Sequence, residues 1–154
     1  MNIPGPVAAF LEGRRFAVAG VSRQPGQAAN AVFKRLKQMG HEVFPVNPKA
    51  SQVEGATCYP DLASVPGSLD GVVIATAPGV AANVVRQCAD RGVRHVWFHR
   101  SFGDGSVSEE AVRACKAAGV SCIVGGCPLM FCEPVDVGHR CMRWWLQRRG
   151  RVPK

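Results

Sequence analysis

The chain has 154 residues, 47% of them hydrophobic, with 17 glycines and a formal net charge of +8. That length fits one domain with a sizeable core, and the composition fits a compact α/β protein and excludes a disordered chain. No run approaches the roughly 18 apolar residues of a membrane helix. Met1–Arg15 lacks the basic and apolar regions of a signal peptide, so the cytoplasm is the expected compartment.

Six of the 19 basic side chains lie between Arg140 and Lys154 with no acid among them, so the excess charge is local. Such a pole attracts phosphate, although a solvated helix face reads the same way. The seven cysteines are odd in number and sit in apolar, periodic segments, which argues for buried thiols over a disulfide framework.

Val7, Ala8, Phe10 and Leu11 predict a short amphipathic helix over 6–12, stopped by Gly13. Phe16–Ala19 is too short for a helix and reads as a buried strand. Gly20 ends it, and Pro25 and Gly26 punctuate the loop that follows. A helix begins near Ala28, with Ala29, Val32, Leu36 and Met39 on one face and Gly40 as its stop. A strand, a glycine-containing loop and a helix N-terminus form a phosphate-binding device, because free N–H groups and the helix dipole converge there.

The spacing Gly20-x5-Gly26 is not the G-x-G-x-x-G of a dinucleotide fold. The second strand, Glu42–Val46, ends in Asn47-Pro48-Lys49, a cation where NAD requires a carboxylate for its ribose. No Gly-Lys-Ser/Thr follows the loop, which excludes a P-loop. The device therefore suits a nucleotide with extra phosphate.

Residues 55–66 form an irregular crossover with a short extended piece and a helical turn at Asp61. Asp70–Ala75 is a continuous β-branched strand, typical of a covered parallel sheet. Thr76-Ala77-Pro78-Gly79 opens a helix that Gly92 ends. Arg94–Phe98 is the fourth strand, and Ser106-Val-Ser-Glu109 has the form of a capping box for the next helix. Ser121–Val124 is the fifth strand, Gly125–Pro128 a loop, and about 135–149 a basic last helix.

The alternation predicts an α/β fold: one Rossmann-like domain over 1–154, with a five-stranded parallel sheet in the order 3-2-1-4-5 and helices on both faces. Ligands of such sheets sit beyond the carboxyl ends of the strands. The loops there are 20–26, 47–49, 75–79, 99–105 and 125–128.

Gly20-Val-Ser22-Arg-Gln-Pro25, Val46-Asn47-Pro48-Lys49, Cys58-Tyr-Pro-Asp-Leu62 and Ile74-Ala75-Thr76 together resemble the small stand-alone CoA-binding domain proteins. These share the fold of the N-terminal domain of the succinyl-CoA synthetase α subunit, and the resemblance covers roughly residues 10–135. It implies that Ser22, Arg23, Gln24 and Pro25, after Gly20, surround the CoA phosphates. Lys49, with Asn47 and Pro48, would face the adenosine end and its 3′-phosphate. Ala75, Thr76 and Ala77 would line the pantetheine or pyrophosphate path, and Cys127 and Pro128 would lie beside the thiol end.

Two stretches depart from the family. Gln27 stands where many small members carry a basic residue, and His99-Arg100-Ser101-Phe102-Gly103 replaces an apolar strand end. That stretch, with Arg100 as the candidate, would supply the missing charge or recognise a different ligand. The synthetase's catalytic histidine lies in a second domain, outside the stretch of resemblance, so its phosphoryl transfer is not implied.

The expected function is binding of coenzyme A or an acyl-CoA, without catalysis of its own. One alternative is a thiol-dependent enzyme in which His99 activates Cys127. Another is a nucleic-acid or membrane binder working through the C-terminal helix, with Trp144 and Trp145 among arginines. Against that, Val137, Cys141 and Trp145 at i, i+4 and i+8 are expected to pack on the sheet. Cys127, Cys132, His139 and Cys141 lack the tight spacing of a zinc site, and no metal is expected. Homo-oligomerisation is left open, and nucleic acid is not the expected partner.

Overall fold

The protein is described from a computed structural model over residues 2–101 and 103–153; Met1, Phe102 and Lys154, all cited above, lie outside the described residues. The elements run α1 (Gly5–Leu11), β1 (Arg15–Ala19), α2 (Ala28–Gln38), β2 (Glu42–Val46), the hairpin β3 (Gln52–Val53) and β4 (Ala56–Thr57), then β5 (Gly71–Ile74). They continue α3 (Pro78–Asp90), β6 (His95–Phe98), α4 (Glu109–Ala117), β7 (Ser121–Val124), a 3-10 turn at Pro128–Met130, and α5 (Val137–Arg148).

The sheet is five-stranded and parallel, as expected, but its order is β2-β1-β5-β6-β7. Counting only its own strands, that is 2-1-3-4-5, and the expected 3-2-1-4-5 is corrected. Pro45 in β2 has no N–H to give an outer neighbour, which marks an edge strand. The outer side is already closed by Tyr59, whose N–H donates to Pro45 O (3.0 Å) and whose carbonyl accepts from Asn47 N–H (2.9 Å). On the inner side, the Asp70 carboxylate accepts the N–H groups of Arg14 (2.8 Å) and Arg15 (2.9 Å), which brings β5 beside β1.

Two cores flank the sheet. One gathers Val7 and Phe10 of α1, Val32, Phe33 and Leu36 of α2, Leu146 of α5, and Phe131 around Trp97. The Trp97 ring meets Phe10 edge-on at 5.4 Å, and its indole N–H donates to Gly125 O at 3.0 Å. The other core sets Ala81, Val85 and Cys88 of α3 and Ala111 and Cys115 of α4 against Val72, Ile74 and Phe98. Each large side chain buried this way contributes about 2–3 kcal/mol.

Three local readings are corrected. The cap of α4 is Ser108, whose hydroxyl accepts the Ala111 N–H at 3.1 Å; Ser106 is buried, and its N–H donates to His99 O. Asp61 heads a turn that is not helical, its carboxylate accepting the Ser64 N–H (2.8 Å) and hydroxyl (2.7 Å).

The phase of α5 is also reversed. Val137 is 72% exposed, Trp145 is 38% exposed and Cys141 is exposed, whereas Arg143 and Leu146 face inward. Leu146 is the better apolar anchor. Arg143 is tolerated there because its guanidinium lies over the Phe131 ring at 4.3 Å and donates to Asn2 O. Beyond α5 the tail returns to the sheet, where Val152 is buried and Gln147 donates to Pro153 O at 2.9 Å.

Candidate functional site

In the observed order, the chain leaves β1 towards β2 and returns to the other side of β1. The loops after β1 and β5 therefore diverge, and a crevice opens between them at the carboxyl edge. It is a cleft of about 620 Å³, within the usual size range of ligand sites. Gly20, Asn47, Pro48, Lys49, Ala75, Thr76 and Ala77 line it, joined by Asp61, Leu62 and the first turns of α3.

A second, more polar hollow of about 350 Å³ lies beside it, lined by Gly20, Ser22, Gln24, Gln27, Ala28, Ala29, Ala75 and His99. The two hollows share Gly20 and Ala75. Gly20 has φ +101°, and a Cβ there would sit 2.4 Å from Ala75 O, so only glycine lets the loops meet this closely.

The loop after β1 is held by a residue that the motif reading passed over. Asn30 is buried; its side-chain oxygen accepts the Ser22 N–H (2.9 Å), and its amide donates to Ser22 O (2.8 Å) and Glu54 Oε1 (2.9 Å). An asparagine one position from the apolar stripe of α2, eight residues after Ser22, was the available signal. Gln24 N–H donates to Ser22 Oγ at 3.0 Å, tightening the same turn. Among the described residues no side chain caps α2, so the N–H groups of its first turn stay available at the second hollow.

Asn47 joins the loops after β1 and β2: its amide donates to Val21 O (2.8 Å) and its oxygen accepts the Lys49 N–H (2.8 Å). Lys49 is exposed at the cleft and, among the described residues, has no carboxylate partner. Asp61 faces the same cleft, its pKa held low by hydrogen bonds from the Ser64 hydroxyl and N–H. Arg91 pins the floor by donating to Leu62 O (2.5 Å) and Val65 O (2.7 Å), while Gln87 accepts the Leu62 N–H (2.9 Å).

Other predicted site residues fall elsewhere. Arg23 and Pro25 are exposed on the loop and line neither hollow. Arg100 turns away, towards the C-terminal tail, where it donates to Arg151 O at 3.4 Å. Gly125 (φ +93°) makes room for that tail, since a Cβ would meet Arg151 O at 2.4 Å.

Cys127 is 2% exposed and packs with Pro128 beneath the sheet edge, lining neither hollow. Burial pushes its thiol up to about 12. His99 has its pKa lowered, first by desolvation and then by His139, and its buried Nε2 has no hydrogen-bond partner among the described residues. The alternative thiol-activating pair finds no support here: Cys127 is buried, its thiol is pushed up rather than down, and no hydrogen bond joins the two side chains. No group of three or more metal-ligating side chains occurs among the described residues.

A family model described as a CoA binding domain matches residues 14–133. The α subunit of an ADP-forming acetate–CoA ligase II from Pyrococcus furiosus is 31% identical over 105 residues, covering 68% of this chain and 23% of that subunit. The chain thus spans about a quarter of this curated relative. Among solved structures, a hypothetical protein from Pyrococcus horikoshii is 27% identical with a TM-score of 0.74, over 83% of this chain and 92% of its own. A conserved hypothetical protein from Pyrococcus furiosus is 33% identical with a TM-score of 0.62, over 71% and 90%. With its sheet order, its carboxyl-edge cleft and a match over most of its length, the chain belongs to the CoA binding domain family.

Proposed function

We propose that this protein binds coenzyme A or an acyl-CoA across the carboxyl edge of β1 and β5, without catalysis of its own. The observation that carries the proposal is the pair of adjoining hollows that share Gly20 and Ala75. An extended ligand can lie over that glycine with one end in each. The hollow at α2 offers backbone N–H groups and the positive end of a helix dipole, which suit a diphosphate. The cleft offers the Lys49 ammonium to a further phosphate and apolar walls from Leu62 and Val84 to a ring or chain. Lys49 replaces the acid that an NAD ribose would need, which favours CoA over NAD.

The buried, protonated thiol of Cys127 supports a binding role over thiol catalysis. In this reading Gly20, Ser22, Gln24, Asn47, Pro48, Lys49, Ala75, Thr76 and Ala77 carry the contacts, and Asn30 holds the loop in shape.

Isothermal titration with CoA, dephospho-CoA and NAD tests the reading. CoA is expected to bind more tightly than dephospho-CoA by about 1 kcal/mol or more, as for a charge-assisted contact. Lys49→Ala is expected to remove the difference. Equal affinity for CoA and NAD would overturn the proposal.

A further inference from the structure

We propose that the outward face of α5 docks on an anionic phospholipid bilayer. Val137, Cys141, Trp144 and Trp145 follow one another at helical spacing along that face, with Val137 72% and Trp144 55% exposed. Together with Arg140 they border a shallow surface groove. The opposite face of the helix is spent on the core, through Arg143 and Leu146.

Charge complementarity selects the occupant. No acid occurs between Arg140 and Lys154. Among the described residues, Arg140, Arg148 and Arg149 make no ion pair. Instead, the Arg148 guanidinium lies over the Trp144 ring and that of Arg149 over the Trp145 ring, each at 4.0 Å. The result is an apolar ridge edged by cations that pair with no carboxylate among the described residues. A bilayer with anionic headgroups offers both complements: phosphates at the level of the guanidinium groups, and acyl chains just below for the valine and the indoles.

A second copy fits less well, because a two-fold contact would press these arginines against their own copies on a chain of net charge +8. Duplex nucleic acid supplies phosphates but little apolar surface for Val137 and Cys141, and one face of each indole is already covered. This surface lies apart from the cleft at Lys49, and the inference does not rest on CoA binding.

Flotation of the full chain with vesicles tests it, comparing phosphatidylcholine alone with phosphatidylcholine containing about 30% phosphatidylglycerol at roughly physiological salt. Binding is expected only to the anionic vesicles, with a blue shift of tryptophan fluorescence. The double variant Val137→Ser/Trp144→Ser is expected to lower partitioning about tenfold or more without a change of charge. Arg140→Glu/Arg148→Glu should lower it similarly. All four side chains are exposed, and an unchanged unfolding midpoint confirms that each variant is folded.

Failure to float with anionic vesicles would overturn the proposal. So would full retention of binding by the serine variant, which would mean adsorption by charge alone. Tighter capture by duplex DNA at equal phosphate concentration, or a dimer in which α5 is covered, would overturn it as well.

Discussion

At the scale of single residues, the cleft depends on side chains that organise backbone. Asn30 satisfies both the N–H and the carbonyl of Ser22 from a buried position, so Asn30→Ala strands two backbone groups. A loss of about 2 kcal/mol or more in stability and weaker CoA binding are expected, measurable by urea unfolding and titration. Lys49 was legible because a cation after the second strand has a direct electrostatic meaning. Asn30 was not, because an amide in a helix reads as neutral until its partners are known.

Asp70 makes a related prediction about pH. Its carboxylate is held below its ordinary pKa, first by the N–H groups of Arg14 and Arg15 and more weakly by the Arg94 and Arg15 charges. A folded-state value below the unfolded one gives stabilisation that is present above the unfolded pKa and lost as pH falls through the folded one. Asp70→Asn should therefore lower stability at neutral pH and flatten the acid limb of a stability–pH curve. An acid limb unchanged by the substitution would contradict this role.

Thiol reactivity follows exposure. Iodoacetamide should label Cys141 first, with Cys127 modified only on unfolding, and peptide mass spectrometry reads the order.

At the scale of elements, strands and helices were legible wherever periodicity and punctuation agreed. β2 and β7 have the predicted limits, and α1, α2 and α3 fall within a residue or two of theirs. The strand order was not read correctly, although Pro45 carried the signal: a residue without an N–H belongs at an edge, and β2 is an edge. The phase of α5 was misread because two stripes competed, Val137–Cys141–Trp145 and Met142–Leu146. The inward face also holds Arg143, which lies over Phe131 and donates to Asn2 O at the far end of the chain.

The tail beyond α5 is also a structural element. Val152 is buried, Arg151 donates to Gly103 O at 2.7 Å, and Arg100 donates back to Arg151. Ending the chain at Arg149 should therefore destabilise the fold by about 2 kcal/mol, read as a lowered midpoint in thermal unfolding. An unchanged midpoint would mean that the tail is dispensable.

At the scale of the whole molecule, the cleft follows from topology. The return of the chain from β2 to the far side of β1 opens the cleft, and the loops of β1, β2 and β5 meet there. That edge was legible in outline, since a parallel sheet places ligands at its carboxyl ends. The loops after β6 and β7 were also expected to contribute Arg100, Cys127 and Pro128. Packing turns those residues towards the tail and the core, and among the described residues of these loops His99 alone lines the second hollow.

CoA is thus proposed to bind at one place, the carboxyl edge of β1 and β5. A 15N-resolved NMR titration with CoA tests it most directly. The account predicts shifts at Gly20, Ser22, the first turn of α2, Lys49, Thr76 and Ala77, with little change at Gly125–Pro128 or along α5. Shifts centred on Gly125–Pro128 or on α5, with Gly20 and Lys49 unmoved, would contradict it.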